Sequence, residues 1–146
     1  MNASLRHVGI VVQDIESWIN FLVTEFGFVI WIDQIENGDF VTQLLGLSET
    51  KVRTVKLKDS IEGVIELLYF YSPISDRTSF RYLTPNSYGI THIAIQVESI
   101  ALKLESLSGI GYSPIFPAQL SVDGKAKVCY LRGPENVLFE LVELIA

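Results

Sequence analysis

Cysteine occurs once in this sequence, at Cys129, so a disulfide framework and a cysteine-rich metal site are both excluded. Cys129 lies in an apolar run and reads as a buried small hydrophobe rather than a nucleophile. A reducing, cytoplasmic setting is the expectation that goes with such cysteine usage. Basic residues are outnumbered, 11 against 17 acidic ones, and the net charge of −6 argues against a nucleic-acid partner. No apolar run approaches a membrane span, and the N-terminus lacks the basic and apolar regions of a secretion signal, so no membrane partner is expected. Gly-rich phosphate loops, a dinucleotide fingerprint and a Ser-centred nucleophile elbow are all missing, which leaves no residues to assign to an organic cofactor. Histidine is scarce too: His7 and His92 are the only two.

What is present is enough for a proper core. With 146 residues, 49% hydrophobic and 19% charged, the chain reads as one compact domain or two small modules sharing a core. Residues 5–13 alternate as a strand, and Asp14 is placed to cap a helix whose stripe is Ile15, Trp18, Ile19, Leu22 and Phe26, stopped by Gly27. Strands follow at 28–35, 51–58 and 64–70, and Asn37-Gly38 is a hairpin-turn signal leading into 40–45. Residues 72–89 read as a linker, with a short helical turn expected around 80–83. The order then restarts: a strand at 91–97, a helix capped by Ser99 and ended by Gly109 and Gly111, and strands at 112–116, 125–132 and 137–145. Trp18 reads as core, while Trp31 and the Tyr69-Phe70-Tyr71 cluster either line a pocket or pack.

The two halves repeat. His7, Ile10, Val12, Ile15 and Leu22 recur as His92, Ile95, Val97, Ile100 and Leu107 at an offset of 85, and Gly27-Phe28 recurs one residue shifted as Gly111-Tyr112. Leu57, Glu66 and Leu67 recur as Leu131, Glu140 and Leu141 at an offset of 74, so the first half carries 11 extra residues in its middle. Each half is read as β-α-β-β-β, giving modules 5–71 and 90–146 within a single domain 1–146.

Superposing the halves pairs His7 and Glu66 with His92 and Glu140, each charged group set in apolar strand sequence. Carboxylates in such runs are costly to bury unless paired or bound to a metal. Taken singly, a histidine at a strand start or a glutamate in a strand is usually a surface or hydrogen-bonded residue, and Glu143, on the other face from Glu140, is read as solvent-facing. Four at equivalent positions of a repeat are another matter. Two neutral imidazoles and two carboxylates make an N₂O₂ set suited to a divalent cation, and the small Gly9 and Ala94 leave space beside it.

The segments HVGIVVQDIESWINFLVTEFGF, VIELLYF, GITHIAIQVESI and VCYLRGPENVLFELVEL resemble the vicinal oxygen chelate superfamily over nearly the whole chain. That superfamily includes glyoxalase I, methylmalonyl-CoA epimerase, extradiol dioxygenases and bleomycin- or fosfomycin-resistance proteins. The resemblance implies an α+β glyoxalase-like fold in which two βαβββ modules form curved mixed sheets around a cleft. It also implies a divalent metal ion (Ni, Co, Zn, Mn or Fe) held by His7, Glu66, His92 and Glu140, and a homodimer. Dioxygenases and many resistance enzymes use three ligands, so a complement of four is more like the isomerase and lyase branch. Bacterial glyoxalase I places a glutathione-contacting arginine where this chain has Val11. HVGIVV, GITHIAIQV and VLFELVE are closer to methylmalonyl-CoA epimerase, whereas LLGLSETKVRTVKLKDS does not resemble that enzyme's middle segment.

The implied reaction is proton abstraction next to a metal-chelated carbonyl through an enediolate or enolate, as in lactoylglutathione lyase or methylmalonyl-CoA epimerase, on a small substrate with vicinal oxygens. Glu140 or Glu66 would be the base. Arg53, Arg77, Arg81, Lys125 and Arg132 are either handles for an anionic group or solvated charges. A non-catalytic binding or resistance protein on the same fold is the alternative reading, and an extradiol-type dioxygenase a more distant third.

Overall fold

The structure, a computed structural model, describes residues 2–75 and 82–145. It divides into two compact units, Met1–Thr78 and Ser79–Ala146. In the first, strand β1 (Val8–Val11) leads into helix α1 (Ile15–Asn20), which runs on as a π-helical turn over Phe21–Glu25. Strand β2 (Val29–Asn37), helix α2 (Asp39–Leu45) and strands β3 (Lys51–Lys58) and β4 (Val64–Ser72) complete it. The second unit has β5 (His92–Gln96), α3 (Ile100–Gly109), a short β6 (Gln119–Leu120), β7 (Ala126–Arg132), a 3₁₀ turn at Pro134–Asn136 and β8 (Leu138–Leu144). Each unit is thus a mixed α+β unit with one four-stranded sheet, ordered β1-β4-β3-β2 and β5-β8-β7-β6.

The two sheets share a register. β1 lies parallel to β4 with Gly9 opposite Glu66, and β5 lies parallel to β8 with Ala94 opposite Glu140. On the other side Lys56 opposes Glu66 and Tyr130 opposes Glu140, in antiparallel pairs. First and last strands are neighbours because the helix between β1 and β2 crosses the sheet, and β1 must then pair parallel.

The repeat is written in the core. Ile15, Leu22, Val55, Leu57, Ile65 and Leu67 are buried in the first unit, and their counterparts Ile100, Leu107, Cys129, Leu131, Phe139 and Leu141 are buried in the second. Each helix lays its apolar stripe over one sheet face, and alternation along the strands sends the intervening residues to the other face. That other face carries His92, Glu140 and Tyr130. Trp18 is fully buried, as are Leu57, Leu67, Leu131 and Leu141, and each such leucine contributes roughly 1.5–3 kcal/mol. Among the described residues no helix is long and apolar enough to cross a membrane.

Two expected strands are absent. Residues 40–45 form α2, not the second arm of a hairpin: Gly38 (φ +91°) breaks β2, Asp39 occupies the first turn, and Gly46 (φ +66°) ends the helix. Phe40, Val41, Leu44 and Leu45 recur at helical spacing, with Val41 buried. Residues 112–116 make a single bridge, Pro114 to Leu131, and the edge strand is instead Gln119–Leu120. Pro114 and Pro117 carry no N–H to donate to a ladder, so that segment cannot run as a paired strand. Of the helical turn expected at 80–83, residues 80 and 81 lie outside the described residues, and Tyr82 and Leu83 are not helical.

Candidate functional site

His7 immediately precedes β1, and Glu66 sits at the third position of the neighbouring β4. His7 Nε2 lies 2.5 Å from Glu66 Oε2, with the histidine side chain 33% exposed and the glutamate 13%. In the second unit His92 opens β5 and Glu140 lies at the third position of β8. His92 Nε2 is 3.0 Å from Glu140 Oε2, with side-chain exposures of 34% and 20%. Within each unit, therefore, one imidazole nitrogen and one carboxylate oxygen meet. Gly9 and Ala94 lie beside the glutamates and are exposed, so neither blocks access. Within either unit the described residues add no third His, Cys, Asp or Glu to the pair.

The second pair has additional partners. Tyr130 donates its hydroxyl to Glu140 Oε2 at 2.9 Å, lies 3.5 Å from His92 Nε2, and sets its ring edge-on to the imidazole at 5.2 Å. Burial, with help from the Glu140 carboxylate, holds the Tyr130 phenol above its ordinary pKa, so it stays a proton donor. Thr91 Oγ1 is 2.9 Å from His92 Nδ1 and steadies the ring from behind. Neither Tyr130 nor Thr91 stands out in the sequence. The signal was available for Tyr130, one residue before the repeated Leu131, but its counterpart in the first half is Lys56, so the repeat does not flag it.

Other singled-out residues have structural roles. Arg53 grips Asp33 through Nε and Nη2 at 2.9 and 2.8 Å and also reaches Glu16, which makes it part of the β2–β3 surface. Arg132 donates to the Asn136 and Leu83 carbonyls and stacks 3.6 Å above the Tyr82 ring. Lys125 is exposed, and Arg77 and Arg81 lie outside the described residues. Glu143 is not a solvent-facing charge: its Oε2 accepts from the Ile100 N–H at 2.8 Å and so caps α3, which packs on that face of the sheet. Cys129 is buried, and burial pushes its thiol pKa up. Trp31, turned out at a β-bulge, is covered by Arg6 and by Lys58, 4.2 Å from its ring centroid.

Residues 6–130 match the family model of the Glyoxalase/Bleomycin resistance protein/Dioxygenase superfamily. The chain belongs to this superfamily. Similar solved structures agree with the assignment. A glyoxalase family protein from Bacillus cereus is 25% identical, with 99% of this chain and 97% of that one covered and a TM-score of 0.85. The fosfomycin resistance protein FosX from Listeria monocytogenes, in a structure with Mn(II) and a dihydroxypropylphosphonic acid, shares the fold at 19% identity, 97% and 90% coverage and a TM-score of 0.62. TioX from Micromonospora sp. ML1 does so at 17% identity, 98% and 100% coverage and a TM-score of 0.61. No curated protein matches the sequence. The glyoxalase superfamily holds metalloenzymes and non-catalytic members alike, so the chemistry of this one has to be argued from its own residues.

Proposed function

We propose that this chain is a metal-dependent isomerase or lyase that abstracts a proton next to a substrate carbonyl. One observation carries the reading: an imidazole–carboxylate pair occurs at the same register in both units, His7 with Glu66 and His92 with Glu140. A buried or half-buried pair of this kind, repeated, is an expensive way to build a sheet and a direct way to supply N₂O₂ donors to one divalent cation. The donor chemistry fits Mn, Fe, Co, Ni or Zn. FosX, a relative by fold, is known in a Mn(II)-bound form.

Bound there, the cation would act as a Lewis acid toward a carbonyl of a substrate with vicinal oxygens. The chain's own groups would do the rest. Glu66 or Glu140 takes the proton from the adjacent carbon and returns it to the neighbouring carbon or the opposite face. Tyr130, held protonated, donates to Glu140 and fixes its orientation for that transfer. Thr91, hydrogen-bonded to His92 Nδ1, holds the orientation of the ring.

The test is metal uptake followed by proton exchange. The purified protein should bind one divalent ion per chain, and Glu66→Gln and Glu140→Gln should each weaken that binding by at least about tenfold. Exchange of the substrate α-proton with solvent deuterium, screened over thiohemiacetals and acyl thioesters, should appear only with metal present. Less than roughly 0.1 equivalent of metal after reconstitution would overturn the enzyme reading in favour of a binding protein. Aerobic cleavage of catechols with iron would replace it by a dioxygenase.

A further inference from the structure

Strand β3 carries four basic residues, Lys51, Arg53, Lys56 and Lys58. Three have partners. Lys51 Nζ lies 5.0 Å from the Tyr71 ring centroid, Arg53 is forked onto Asp33, and Lys58 sits 2.5 Å from Glu62 and over the Trp31 ring. Lys56 is half-buried and, among the described residues, has no hydrogen bond, ion pair or ring partner.

Its position makes that absence informative. Lys56 stands directly opposite Glu66 in the antiparallel β3–β4 ladder, so the two side chains leave the same face of the sheet. The Glu66 carboxylate nevertheless turns to His7. In the second unit the same register position holds Tyr130, whose hydroxyl is committed to Glu140. The first unit thus places an uncommitted ammonium where the second places a committed phenol. A half-buried charge without an ion pair is disfavoured, and a chain of net charge −6 has carboxylates to spare, yet among the described residues none, Glu66 included, comes within ion-pair distance of it. The competing account is a lysine that lays its stem on the sheet and solvates its head.

We propose that Lys56 binds an oxyanion of the ligand, a carboxylate, phosphonate or phosphate group, beside the His7–Glu66 pair. The preferred substrates are then small acids bearing vicinal oxygens. The inference rests on the proposed role of that pair as a substrate site, and the experiment separates the two. Methylphosphonate and acetate are titrated separately into the metal-free protein by NMR, and Mn(II) uptake is measured on the same samples. At least one anion should bind saturably. Lys56→Met should weaken it roughly tenfold or more, Lys56→Arg should keep it within about threefold, and Lys125→Met, a change at an exposed lysine, should leave it unchanged. Equal anion binding by wild-type and Lys56→Met overturns the role of Lys56. Mn(II) uptake with no anion binding overturns it too and leaves the metal reading standing. Failure of both Mn(II) and the anions overturns the two together.

Discussion

At the scale of single residues, the two histidines and two glutamates were legible because they are rare charges in apolar strands and recur at fixed offsets. Tyr130 was not. It is one of six tyrosines, a strand is an ordinary place for one, and only the register that sets it opposite Glu140 reveals its partner. Tyr130→Phe removes the hydroxyl and keeps the ring against His92. The expected outcome is a drop of about 10-fold in Mn(II) affinity with little change in fold, since partners that orient a ligand typically contribute 10–100-fold. Calorimetric titration of the two proteins side by side measures it. An unchanged affinity would mean that Glu140 needs no help to present its carboxylate. Glu143 is the reverse case: strand alternation puts it on the opposite face from Glu140, but the N-terminus of α3 that meets it on that face cannot be seen in alternation alone.

At the scale of elements, periodicity located the strands and helices that carry the core, and erred where turn chemistry has two solutions. Asn37-Gly38 supports a left-handed glycine in a hairpin and equally well one that starts a helix; the structure takes the second course. The 11-residue difference between the two repeat offsets falls in the stretch that holds α2, which has no counterpart among the second unit's described elements. The elements that repeat should be the ones that stability depends on. Leu67 and Leu141 are fully buried at equivalent positions of β4 and β8, and each →Ala change should cost about 2–5 kcal/mol by urea denaturation. Leu44, 67% exposed on α2, should cost well under 1 kcal/mol beyond the small propensity change when made Ala. Between β2 and β3, hydrogen bonds from Arg53 hold the Asp33 carboxyl below its ordinary pKa. A depressed carboxylate stabilises the fold above its unfolded pKa and loses that contribution as pH falls through the folded one. Asp33→Asn should therefore lower the urea midpoint at neutral pH and flatten its decline in acid; a parallel shift at every pH would show that the pair contributes nothing through ionisation.

At the scale of the whole molecule, a chain of net charge −6 with two like-built units carries one His–Glu pair in each, and the proposed function asks the two pairs to serve one ion. Each pair alone offers two donor atoms, too few for a firmly held cation, so the count of ions per chain discriminates sharply. If all four donors serve a single ion, saturation occurs at one ion per chain, whether the protein is a monomer or a homodimer. If each pair acts alone, it occurs at two, and weakly. The same ion should stabilise the folded chain by mass action, because the unfolded chain has no assembled site: about 2.7 kcal/mol at a free concentration 100 times the dissociation constant. Urea unfolding with Mn(II), then with chelator, should show the midpoint rise and return, and Glu66→Gln should abolish most of the rise while leaving the metal-free midpoint nearly where it was. Light scattering on the same samples gives the mass, and dilution decides whether the metal-dependent gain tracks a two-chain assembly. A gain that persists in Glu66→Gln would assign the His7–Glu66 pair to structure, and a stoichiometry of two would make the pairs separate metal sites; either outcome overturns the single four-donor site proposed for this chain.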